Sequence, residues 1–591
     1  MKLCVLALDY DGTIARNDRA DPSVLEAIAS ARSRGIKVVL VTGRILAELR
    51  RVAGELRFVD AVVAENGAVV HFPDSGHTTI LAQPVQPLLL ARLSNVGTAF
   101  QAGECLIDAD AGSAHQMLDV IHDLEVPVVL LFNRSRVMAL AQGISKATGL
   151  NAALAMLRAS PRNTLAVGDA ENDHELLRVS EIGAAVEWGS ASLQAAADLV
   201  IAGSGPPAVA EFITRVAASG RLPAPIKARR RLVVGRTEEG REFSLAVLGR
   251  NFLITGETNS GKSWLAGLLC ERLILHGYSL CVIDPEGDYR PLEALPGVTV
   301  LGGEDSPPTP RELLHALRYP DNSVVIDLSA MEHDRKFEYI RSVLLALNVM
   351  RRRTGVPHRI VLDEAHYFLH GALARDLLDL DLNGYTIVTY WPSQLPADLV
   401  AAAEVVLVTR QSDIAEIEAL RSHCAICKHF DPSGWDVLPT LRLDQAAALP
   451  GTLEANGQVQ IFTIGERLTP HVRHRQKYVD VPVSDNRAFV FTSPGKRVRA
   501  HTLREFVAAL ESINVSQADP YLRRGDFARW VGDVFGDHAL AKELQRGERR
   551  YVLAKDDDVL KQIVATIRTR YDLAEDEEDV AATTAPLPMN Q

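Results

Sequence analysis

Short apolar runs that end in polar, chemistry-bearing residues recur along this chain, and stretches with helical spacing of apolar residues separate them. Leu3–Leu8, Val38–Val41 and Leu165–Gly168 have this form in the first part of the chain, and Asn251–Thr255 and Arg359–Leu362 have it further on. Buried parallel strands are continuous apolar runs, and the helices between them repeat every 3.6 residues. The pattern predicts α/β domains with functional groups at the carboxyl ends of strands.

The last part of the chain has a different pattern. Residues 502–513 and 556–571 space their apolar positions at helical intervals, and Phe527–Phe535 carries an aromatic stripe that is typical of a helical core. Residues 573–591 are acidic and then rich in Ala, Thr and Pro, a composition typical of disorder. We expect a helical accessory domain followed by a disordered tail.

The sequence GETNSGKS lies between the apolar run ending at Thr255 and the helical pattern beginning at Trp264. It fits G-x-x-x-x-G-K-[ST] at every position. In such a loop backbone N–H groups surround the phosphates, the lysine reaches the β- and γ-phosphates, and the hydroxyl binds Mg²⁺. A glycine turn before an ordinary core helix is disfavoured because strand, loop, Lys-Ser pair and helix occur together. The predicted ATP and Mg²⁺ site consists of Gly256, Glu257, Thr258, Asn259, Ser260, Gly261, Lys262 and Ser263.

A second set of polar residues follows the N-terminal strands. It consists of Asp9, Asp11, Thr42, Lys146, Asp169 and Asp173. A phosphoryl group repels a carboxylate nucleophile unless a metal ion and a cation neutralise its charge. Several acids with one lysine and one hydroxyl therefore suit phosphoryl transfer, whereas solvated strand-end acids in a degenerate domain are the alternative.

The segments DYDGT, TGR, GISKATGL and GDAEND resemble the motifs of the haloacid dehalogenase (HAD) superfamily of phosphohydrolases, over about the first 220 residues. The resemblance implies a Rossmann-like core in which Asp9 forms an aspartyl-phosphate and Asp11 is the acid/base. It also implies that Thr42 and Lys146 bind the phosphoryl oxygens. The metal ligands predicted for Mg²⁺ are Asp9, Asp11, Asp169 and Asp173.

An insert of about residues 73–137 separates the second and third of these motifs. We expect it to form a small α/β cap, which resembles the class II cap of the Cof-like and phosphoglycolate-phosphatase branch. In this superfamily the cap selects the substrate. The insert is short and has no evident metal cluster, so a small phosphorylated metabolite is favoured over a protein substrate.

Two further segments indicate the branch of the central ATPase. IDPEGDY follows the strand after the phosphate loop, and Asp363-Glu364-Ala-His366 is a Walker B pattern. In such a pattern the Asp orients Mg²⁺ and the Glu polarises the attacking water. With the phosphate loop, these segments resemble HerA-like ATPases, relatives of FtsK, over roughly residues 231–477. The resemblance implies a RecA-like fold and a ring of subunits, commonly a hexamer.

Rings of this family usually complete each nucleotide site with an arginine from the neighbouring subunit. Leu377–Tyr385, where HerA proteins tend to carry Gly-Arg-Lys, reads LLDLDLNGY and has no arginine. We predict Arg410 as the substitute, with an ordinary surface arginine as the alternative, and Gln394 as a γ-phosphate sensor. The departure puts DNA translocation in more doubt than ATP binding.

The composition limits the class of protein and its partners but does not indicate a function. The chain has 591 residues, 47% hydrophobic and 23% charged, which is typical of a soluble globular protein of three or four domains. The net charge of −12 gives no support for indiscriminate nucleic-acid binding, although basic clusters at 227–231 and 471–477 leave local contacts open. No apolar run approaches a membrane span and no signal-peptide pattern occurs, so we expect a cytoplasmic location and no membrane partner.

The six cysteines are scattered along the chain, which fits a reducing compartment. Cys424 and Cys427 form one CxxC, with His423 and His429 beside it. A single CxxC is a weak indication of zinc, so buried thiols are the favoured interpretation.

The predicted chain is thus a fusion. Residues 1–222 form the HAD phosphohydrolase, 223–250 a linker and hairpin, 251–480 the HerA-like ATPase, 481–572 the helical domain and 573–591 the tail. The favoured function is a Mg²⁺-dependent phosphatase for a small metabolite, gated or assembled by an ATP-hydrolysing domain in a homo-oligomer. A ring-shaped nucleic-acid motor with an accessory phosphatase is the alternative.

Overall fold

The computed structural model describes residues 1–133, 135–369, 377–423, 432–449, 458–470, 483, 487–493, 496–535, 537–556 and 558–571. None of the helices in these ranges is both long enough and apolar enough to cross a bilayer.

The N-terminal unit is built on an eight-stranded sheet. Its strands and those of the adjoining insert are β1 (Val5–Asp9), β2 (Ala15–Arg16), β3 (Arg19–Ala20), β4 (Lys37–Val41), β5 (Ala61–Ala64), β6 (Val69–His71), β7 (Thr78–Ile80), β8 (Phe100–Ala102), β9 (Leu106–Asp110), β10 (Val128–Asn133), β11 (Arg136–Ala141), β12 (Thr164–Gly168), β13 (Ile182–Val186) and β14 (Leu199–Ile201). The sheet order is β14-β13-β12-β1-β4-β5-β6-β7, parallel from β14 to β5. Every residue of β1 is buried, as a strand covered on both faces requires.

Helices cover this sheet and its insert. They are α1 (Pro22–Ser33), α2 (Leu46–Ala53), α3 (Pro87–Asn95), α4 (Ala114–Asp123), α5 (Lys146–Leu157), α6 (His174–Val179), α7 (Ala191–Ala196) and α8 (Pro206–Ser219). Ser145 caps α5 by accepting a hydrogen bond from the backbone N–H of Thr148, which fixes the start of the helix at Lys146.

The insert forms an antiparallel sheet in the order β10-β11-β9-β8, and α3 and α4 contribute to its own apolar core. This cap differs from the expected range of 73–137 at both ends. The strand β7 pairs with β6 in the main sheet, so the cap begins after Ile80, and β11 extends to Ala141. Strand β7 reads TTI and is mostly exposed, so no apolar run marks its pairing with β6 in the sequence.

The central unit contains an eleven-stranded sheet. Its strands are β15 (Arg231–Thr237), β16 (Glu242–Ala246), β17 (Phe252–Thr255), β18 (Leu280–Asp284), β19 (Val298–Gly302), β20 (Ser323–Asp327), β21 (Arg359–Leu362), β22 (Tyr385–Thr389), β23 (Val405–Val408), β24 (Gln445–Ala448) and β25 (Gln460–Ile464). The order is β16-β15-β25-β24-β23-β17-β22-β21-β18-β20-β19. The β15–β16 hairpin, expected to form a linker segment with residues 223–250, is therefore part of this sheet through β25.

The helices of the central unit are α9 (Lys262–Leu275), α10 (Pro310–Ala316), α11 (His333–Thr354), α12 (Ala397–Ala401) and α13 (Ile414–His423). Strand β17 lies between β22 and β23 in the parallel part of the sheet. The loop that follows β17 is thus placed in the middle of the carboxyl edge.

The two sheets meet at the amino ends of their strands. Just before β1, the Cys4 Sγ lies 3.3 Å from the carbonyl oxygen of Thr354, the last residue of α11. Just before β12 and β21, Asn163 Oδ1 and His358 Nε2 are 3.1 Å apart. The hydroxyl of Tyr278, before β18, donates to Glu181, before β13, at 2.8 Å. Each carboxyl edge therefore lies a full strand length, about 15 Å, from this boundary, on its far side.

Polar groups are well matched at this boundary. Burial lowers the pKa of His358 to about 3, so its ring is neutral. Its Nδ1 accepts the backbone N–H of Ser279 at 2.7 Å, so Nε2 carries the proton and donates to Asn163. Glu181, 3% exposed, also accepts a hydrogen bond from Arg162 at 3.1 Å and forms an ion pair with Arg230 Nε at 3.2 Å. The boundary is therefore a buried polar network that connects the two sheets.

The C-terminal unit, predicted as helical, begins with a β-hairpin. Its elements are β26 (Phe489–Ser493), β27 (Lys496–Ala500), α14 (Leu503–Ser512), α15 (Val515–Arg524), α16 (Asp526–Trp530), a π-helical turn (Val531–Phe535), α17 (His538–Ala554) and α18 (Val559–Tyr571). Phe489, Phe506, Phe527 and Trp530 stack against one another in its core. The aromatic stripe is therefore core, and the predicted tail lies outside the described residues.

Candidate functional sites

The first candidate site lies where β1 and β12 end. The Lys146 ammonium, 2% exposed, donates to Asp9 Oδ1 and to Asp173 Oδ1, both at 2.6 Å. The other oxygen of Asp173 accepts the backbone N–H groups of Asp169 and Ala170. The chain approaches itself closely here, because a Cβ on Gly168 would overlap the side chain of Asp173.

Three of the four predicted metal ligands come together. Ligand oxygens of Asp9, Asp169 and Asp173 lie within 4.8 Å of one another, and all three residues are buried. Asp9 Oδ2 is buried and has no hydrogen-bond partner among the described residues. Lys146 bonds two of these three buried carboxylates, and carboxylate oxygens are the ligands that Mg²⁺ prefers. These residues therefore fit a divalent cation.

Burial dominates the electrostatics of this cluster. It raises the pKa of Asp9 well above its usual value; the charge of Lys146 opposes this, while Asp173 and Asp169 add to it. For Lys146 burial works in the opposite direction, but the Asp173 and Asp9 carboxylates outweigh it and hold its pKa above the usual range. A second cation in the cluster would favour the ionised, nucleophilic form of Asp9.

Asp11 does not join the metal cluster. Its carboxylate accepts two hydrogen bonds from the Arg44 guanidinium, Nε to Oδ2 and Nη2 to Oδ1, both at 2.7 Å. Gly12, at φ 79°, turns the chain so that Asp9 is buried while the Asp11 side chain is 46% exposed. The turn sends the second carboxylate toward Arg44 and away from the three acids, and the role of Asp11 as a metal ligand stays a prediction.

A cavity of about 370 Å³ joins these residues to the cap. Thr42, 1% exposed, lies in its wall and accepts the backbone N–H of Arg44 at 3.1 Å. From the cap, Arg136 reaches the cavity and pairs with Asp108 on the neighbouring strand at 2.5 Å. Sequence reasoning assigned no role to Arg44 or to the cap residues. TGR contained the signal for Arg44, whereas the cap strands carry no motif.

The second candidate site is the loop between β17 and α9. Gly256 has φ 148° and Gly261 has φ 97°, and a Cβ on Gly256 would overlap Thr409 Oγ1. The Lys262 ammonium donates to the carbonyl oxygen of Glu257 at 2.8 Å. The Ser260 hydroxyl bonds to the same carbonyl at 2.6 Å and to Thr409 Oγ1 at 2.5 Å. The loop is thus curled round its lysine at the start of a helix, as a phosphate cradle requires.

The remaining loop residues face outward to different degrees. Thr258, Asn259 and Ser263 are partly buried, and Asn259 has a left-handed backbone at φ 61°. Ser263 lies in the first turn of α9, and its Mg²⁺ role stays a prediction.

Asp363 and Glu364 end β21, which is separated from β17 by β22 alone. They are 1% and 2% exposed. Glu364 has a left-handed backbone at φ 46°, a conformation that costs a non-glycine residue energy and is concentrated at functional sites. His366, whose Nδ1 lies 3.0 Å from Thr389 Oγ1, packs beside Glu364. Two buried acids at this edge suit a Walker B site.

The IDPEGDY segment has a structural role that the sequence did not reveal. Asp284 Oδ1 accepts the backbone N–H groups of residues 286–288, and its Oδ2 accepts that of Tyr289. Burial, with Asp288 nearby, raises the pKa of Asp284 to about 7, while these hydrogen bonds oppose the rise. The motif therefore folds around its first carboxylate.

Arg410 lies beside the phosphate loop of its own subunit. Its Nε donates to Glu257 Oε1 at 2.5 Å, and the Ser412 hydroxyl donates to Glu257 Oε2 at 2.5 Å. The arrangement differs from the expected arginine contributed by a neighbour. Gln394 is exposed in the turn that follows β22, and its sensor role stays a prediction.

Some predicted features fall outside the described residues. These are Cys424, Cys427 and His429 of the zinc alternative and the basic run 471–477. His423 is the last residue of α13.

Comparison with known proteins separates the two units. Residues 6–117 and 94–213 match the family model of haloacid dehalogenase-like hydrolases, and residues 241–349 match that of the central domain of helicase HerA. The phosphoglycolate phosphatase of Natronomonas pharaonis is 29% identical over 206 residues, covering 33% of this chain and 89% of the relative. That of Methanoculleus marisnigri is 28% identical over 218 residues, covering 34% and 90%. A haloacid dehalogenase-like hydrolase structure from Bacteroides thetaiotaomicron, 17% identical, covers 36% of this chain and 100% of its own, with a TM-score of 0.33.

Proposed function

Because this chain joins a haloacid dehalogenase-like hydrolase to a HerA-like ATPase domain, we propose that it is a bifunctional enzyme. The first activity is a Mg²⁺-dependent phosphatase for a small phosphorylated metabolite. The second is ATP binding and hydrolysis by a domain that gates or assembles the first. The observation that carries the phosphatase proposal is the buried cluster of Asp9, Asp169 and Asp173 held by Lys146.

Asp9 is the nucleophile of this proposal. Its carboxylate attacks phosphorus, the P–O bond to the substrate breaks, and Asp11 gives its proton to the leaving alkoxide. Water then attacks phosphorus of the aspartyl-phosphate, Asp11 takes the proton, and inorganic phosphate and free Asp9 are released. Lys146 and Thr42 hold the phosphoryl oxygens, and Arg44 orients Asp11 between its two roles.

Asp9, Asp169 and Asp173 would hold Mg²⁺. When bound, the ion neutralises phosphoryl charge that would otherwise repel the nucleophile.

The size of the cavity supports a small substrate. About 370 Å³ is at the low end for small-molecule sites, and the cap covers it with the polar residues Gln101, Asp108, Asn133 and Arg136. The relatives named as phosphoglycolate phosphatases make 2-phosphoglycolate the first compound to test.

In the ATPase site, Lys262 binds the β- and γ-phosphates, and Ser263 and Asp363 would hold Mg²⁺. Glu364 orients the attacking water. The left-handed backbone of Glu364 and the curled loop around Lys262 support this assignment.

The boundary between the sheets supports gating rather than direct contact of the two sites. Glu181, Tyr278, His358 and Asn163 connect the amino ends of both sheets, so a nucleotide-dependent shift in one sheet has a buried polar path to the other. The second candidate function is a ring-shaped nucleic-acid motor with an accessory phosphatase. The match to the central domain of a helicase favours it.

One experiment separates these functions. Phosphate release is measured over a panel of phosphomonoesters, including 2-phosphoglycolate, with Mg²⁺ or EDTA and with or without ATP and duplex DNA. We expect Mg²⁺-dependent hydrolysis of a small compound that ATP changes and DNA does not. Asp9→Asn should abolish it while ATP turnover remains, and Lys262→Ala should remove ATP binding while basal phosphoester hydrolysis remains.

DNA-stimulated ATP turnover would favour the motor instead. Loss of both activities in the Asp9→Asn variant would refute two independent active sites.

A further inference from the structure

The C-terminal unit touches the phosphate loop at two points. The side-chain amide of Asn259 donates to the carbonyl oxygen of Val534 at 3.1 Å. Arg487 precedes β26 in the chain. Its guanidinium lies 3.4 Å from Glu257 Oε1 and 3.5 Å from the carbonyl oxygen of Thr258. Val534 belongs to the π-helical turn, a form of helix that occurs often at functional sites. A unit more than 200 residues away in sequence thus borders the cradle for the phosphates.

The contact brings Arg487 to the acidic side chain of Glu257 in the phosphate loop. Glu257 is the second residue of GETNSGKS, and its side chain is 7% exposed. A buried carboxylate inside a loop that binds a triphosphate repels the ligand unless cations compensate it. Arg410, at 2.5 Å, and Arg487, at 3.4 Å, are the cations that face it. Both guanidinium groups are therefore held beside the phosphate cradle by the one acid that the loop contains.

The backbone of Arg487 is held by a hydrogen bond, whereas its guanidinium makes only long hydrogen bonds to the described residues. The indole N–H of Trp530 donates to its carbonyl oxygen at 2.8 Å, and its Nη2 donates to the carbonyl oxygen of Asp533 at 3.3 Å. Its contacts with Glu257, Thr258 and Asp533 are all at 3.3 Å or more, longer than a strong charge-assisted hydrogen bond. Burial lowers the pKa of Arg487, with Glu257 opposing. An anion that forms shorter hydrogen bonds, such as a phosphate group, would therefore stabilise the Arg487 guanidinium more than its present partners do.

We propose that Arg487 is a phosphate-binding residue of the nucleotide site. When a nucleoside triphosphate occupies the loop, the Arg487 guanidinium exchanges its contact with Glu257 for a contact with a phosphate group. The inference rests on the proposed ATPase function and names the C-terminal unit as part of that site. Arg410 and Arg487 together supply, within one subunit, the positive charge that Leu377–Tyr385 lacks. Because binding linkage is reciprocal, ATP strengthens the docking of the C-terminal unit and a docked unit strengthens ATP binding.

The test uses the full chain and Mg²⁺ with a fluorescent ATP analogue. Arg487→Ala should weaken binding by about tenfold or more, the loss of one charge-assisted contact. Arg487→Lys should recover a large part of the affinity, because it keeps the charge. The control is Arg523→Ala in the same unit, whose arginine pairs with Asp519 on the surface, and it should bind like the wild type.

Two further measurements test the linkage between ATP binding and docking of the C-terminal unit, and the competition between Glu257 and the phosphates for Arg487. ATP should slow hydrogen exchange in residues 503–535 of the wild type and of Arg523→Ala, but not of Arg487→Ala. Glu257→Gln should bind the analogue more tightly than the wild type, because the competing carboxylate is removed. Hydrogen exchange without nucleotide identifies a variant whose C-terminal unit is unfolded, and Arg487→Lys then carries the test.

Unchanged affinity in Arg487→Ala, or weaker binding in Glu257→Gln, would overturn the proposal. Its failure is distinct from failure of the ATPase function. If the wild type and Lys262→Ala bind the analogue equally poorly, the ATPase function itself is refuted.

Discussion

Replacing Lys146 by methionine removes the cation that holds the N-terminal acids together. In the wild type the ammonium lies 2.6 Å from both Asp9 and Asp173. At an effective dielectric constant of about 20, the Coulomb attraction of each contact is about 6 kcal/mol. This figure does not include the cost of removing the charges from water. The variant keeps the three buried carboxylates and loses the ammonium that bonds two of them.

Repulsion among the acids sets the size of the effect. Their ligand oxygens lie within 4.8 Å of one another, a separation at which each pair of charges repels by about 3 to 4 kcal/mol at the same dielectric constant. Part of this cost is avoided because the acids take up protons. Breaking a buried ion pair from one side costs about 3 to 5 kcal/mol in measured cases, and we expect a loss of that size from the free energy of opening of the N-terminal sheet.

Hydrogen exchange in peptides covering Val5–Asp9 and Thr164–Gly168 measures this free energy in the full chain. In EDTA, Lys146→Met should exchange faster in both peptides, and Mg²⁺ should restore more protection in the variant than in the wild type. Lys37→Met is the matched control. Its ammonium donates to the carbonyl oxygen of Leu157 at 2.6 Å, so its loss should cost about 1 kcal/mol.

A second substitution tests the charge argument. Asp173→Asn removes one of the repelling acids, so the double variant Lys146→Met, Asp173→Asn should be more stable than Lys146→Met alone. The reasoning is refuted if Lys146→Met is as stable as the wild type in EDTA, or if the double variant is no more stable than the single one.

Three other expectations follow from the described contacts. Glu364→Gln should bind ATP normally but reduce its turnover by about 100-fold or more, as measured by phosphate release; normal turnover would remove Glu364 from catalysis. Burial raises the pKa of Glu548 to about 7 from an ordinary 4.5, so the protonated form is favoured in the fold and the C-terminal unit should lose stability as pH rises between these values. Glu548→Gln should therefore abolish most of that loss, about 2 to 3 kcal/mol by pH 8, in hydrogen exchange corrected for intrinsic rates. Glu181→Ala leaves Arg162 and Arg230 without their shared carboxylate at the boundary, so ATP should no longer change phosphatase activity although both basal activities persist; a retained ATP effect would place the coupling elsewhere.

Much of the fold could be predicted because its signals are local. Val5–Asp9 and Arg359–Leu362 are entirely buried strands, and a strand covered on both faces must be apolar along its length. The phosphate loop is also local, since its glycines, lysine and hydroxyl act within eight residues. The family matches confirm the Rossmann-like and P-loop units that these signals predicted.

The parts that could not be predicted depend on contacts between distant segments. β15 joins the central sheet through β25, more than 200 residues later, and neither strand carries a sign of its partner. Glu257 and Arg487 are separated in the same way. At the N-terminal site the spacing of Asp9 and Asp11 was visible, but the turn at Gly12 and the position of Arg44 decide which acid is buried.

The amino ends of the two sheets form a common floor, and the two candidate sites lie at the carboxyl edges on either side of it. About two strand lengths, roughly 30 Å, therefore separate the two candidate sites within one chain. The buried polar contacts of that floor connect the two sheets that carry these sites, and the Glu181→Ala variant tests whether a signal passes through them.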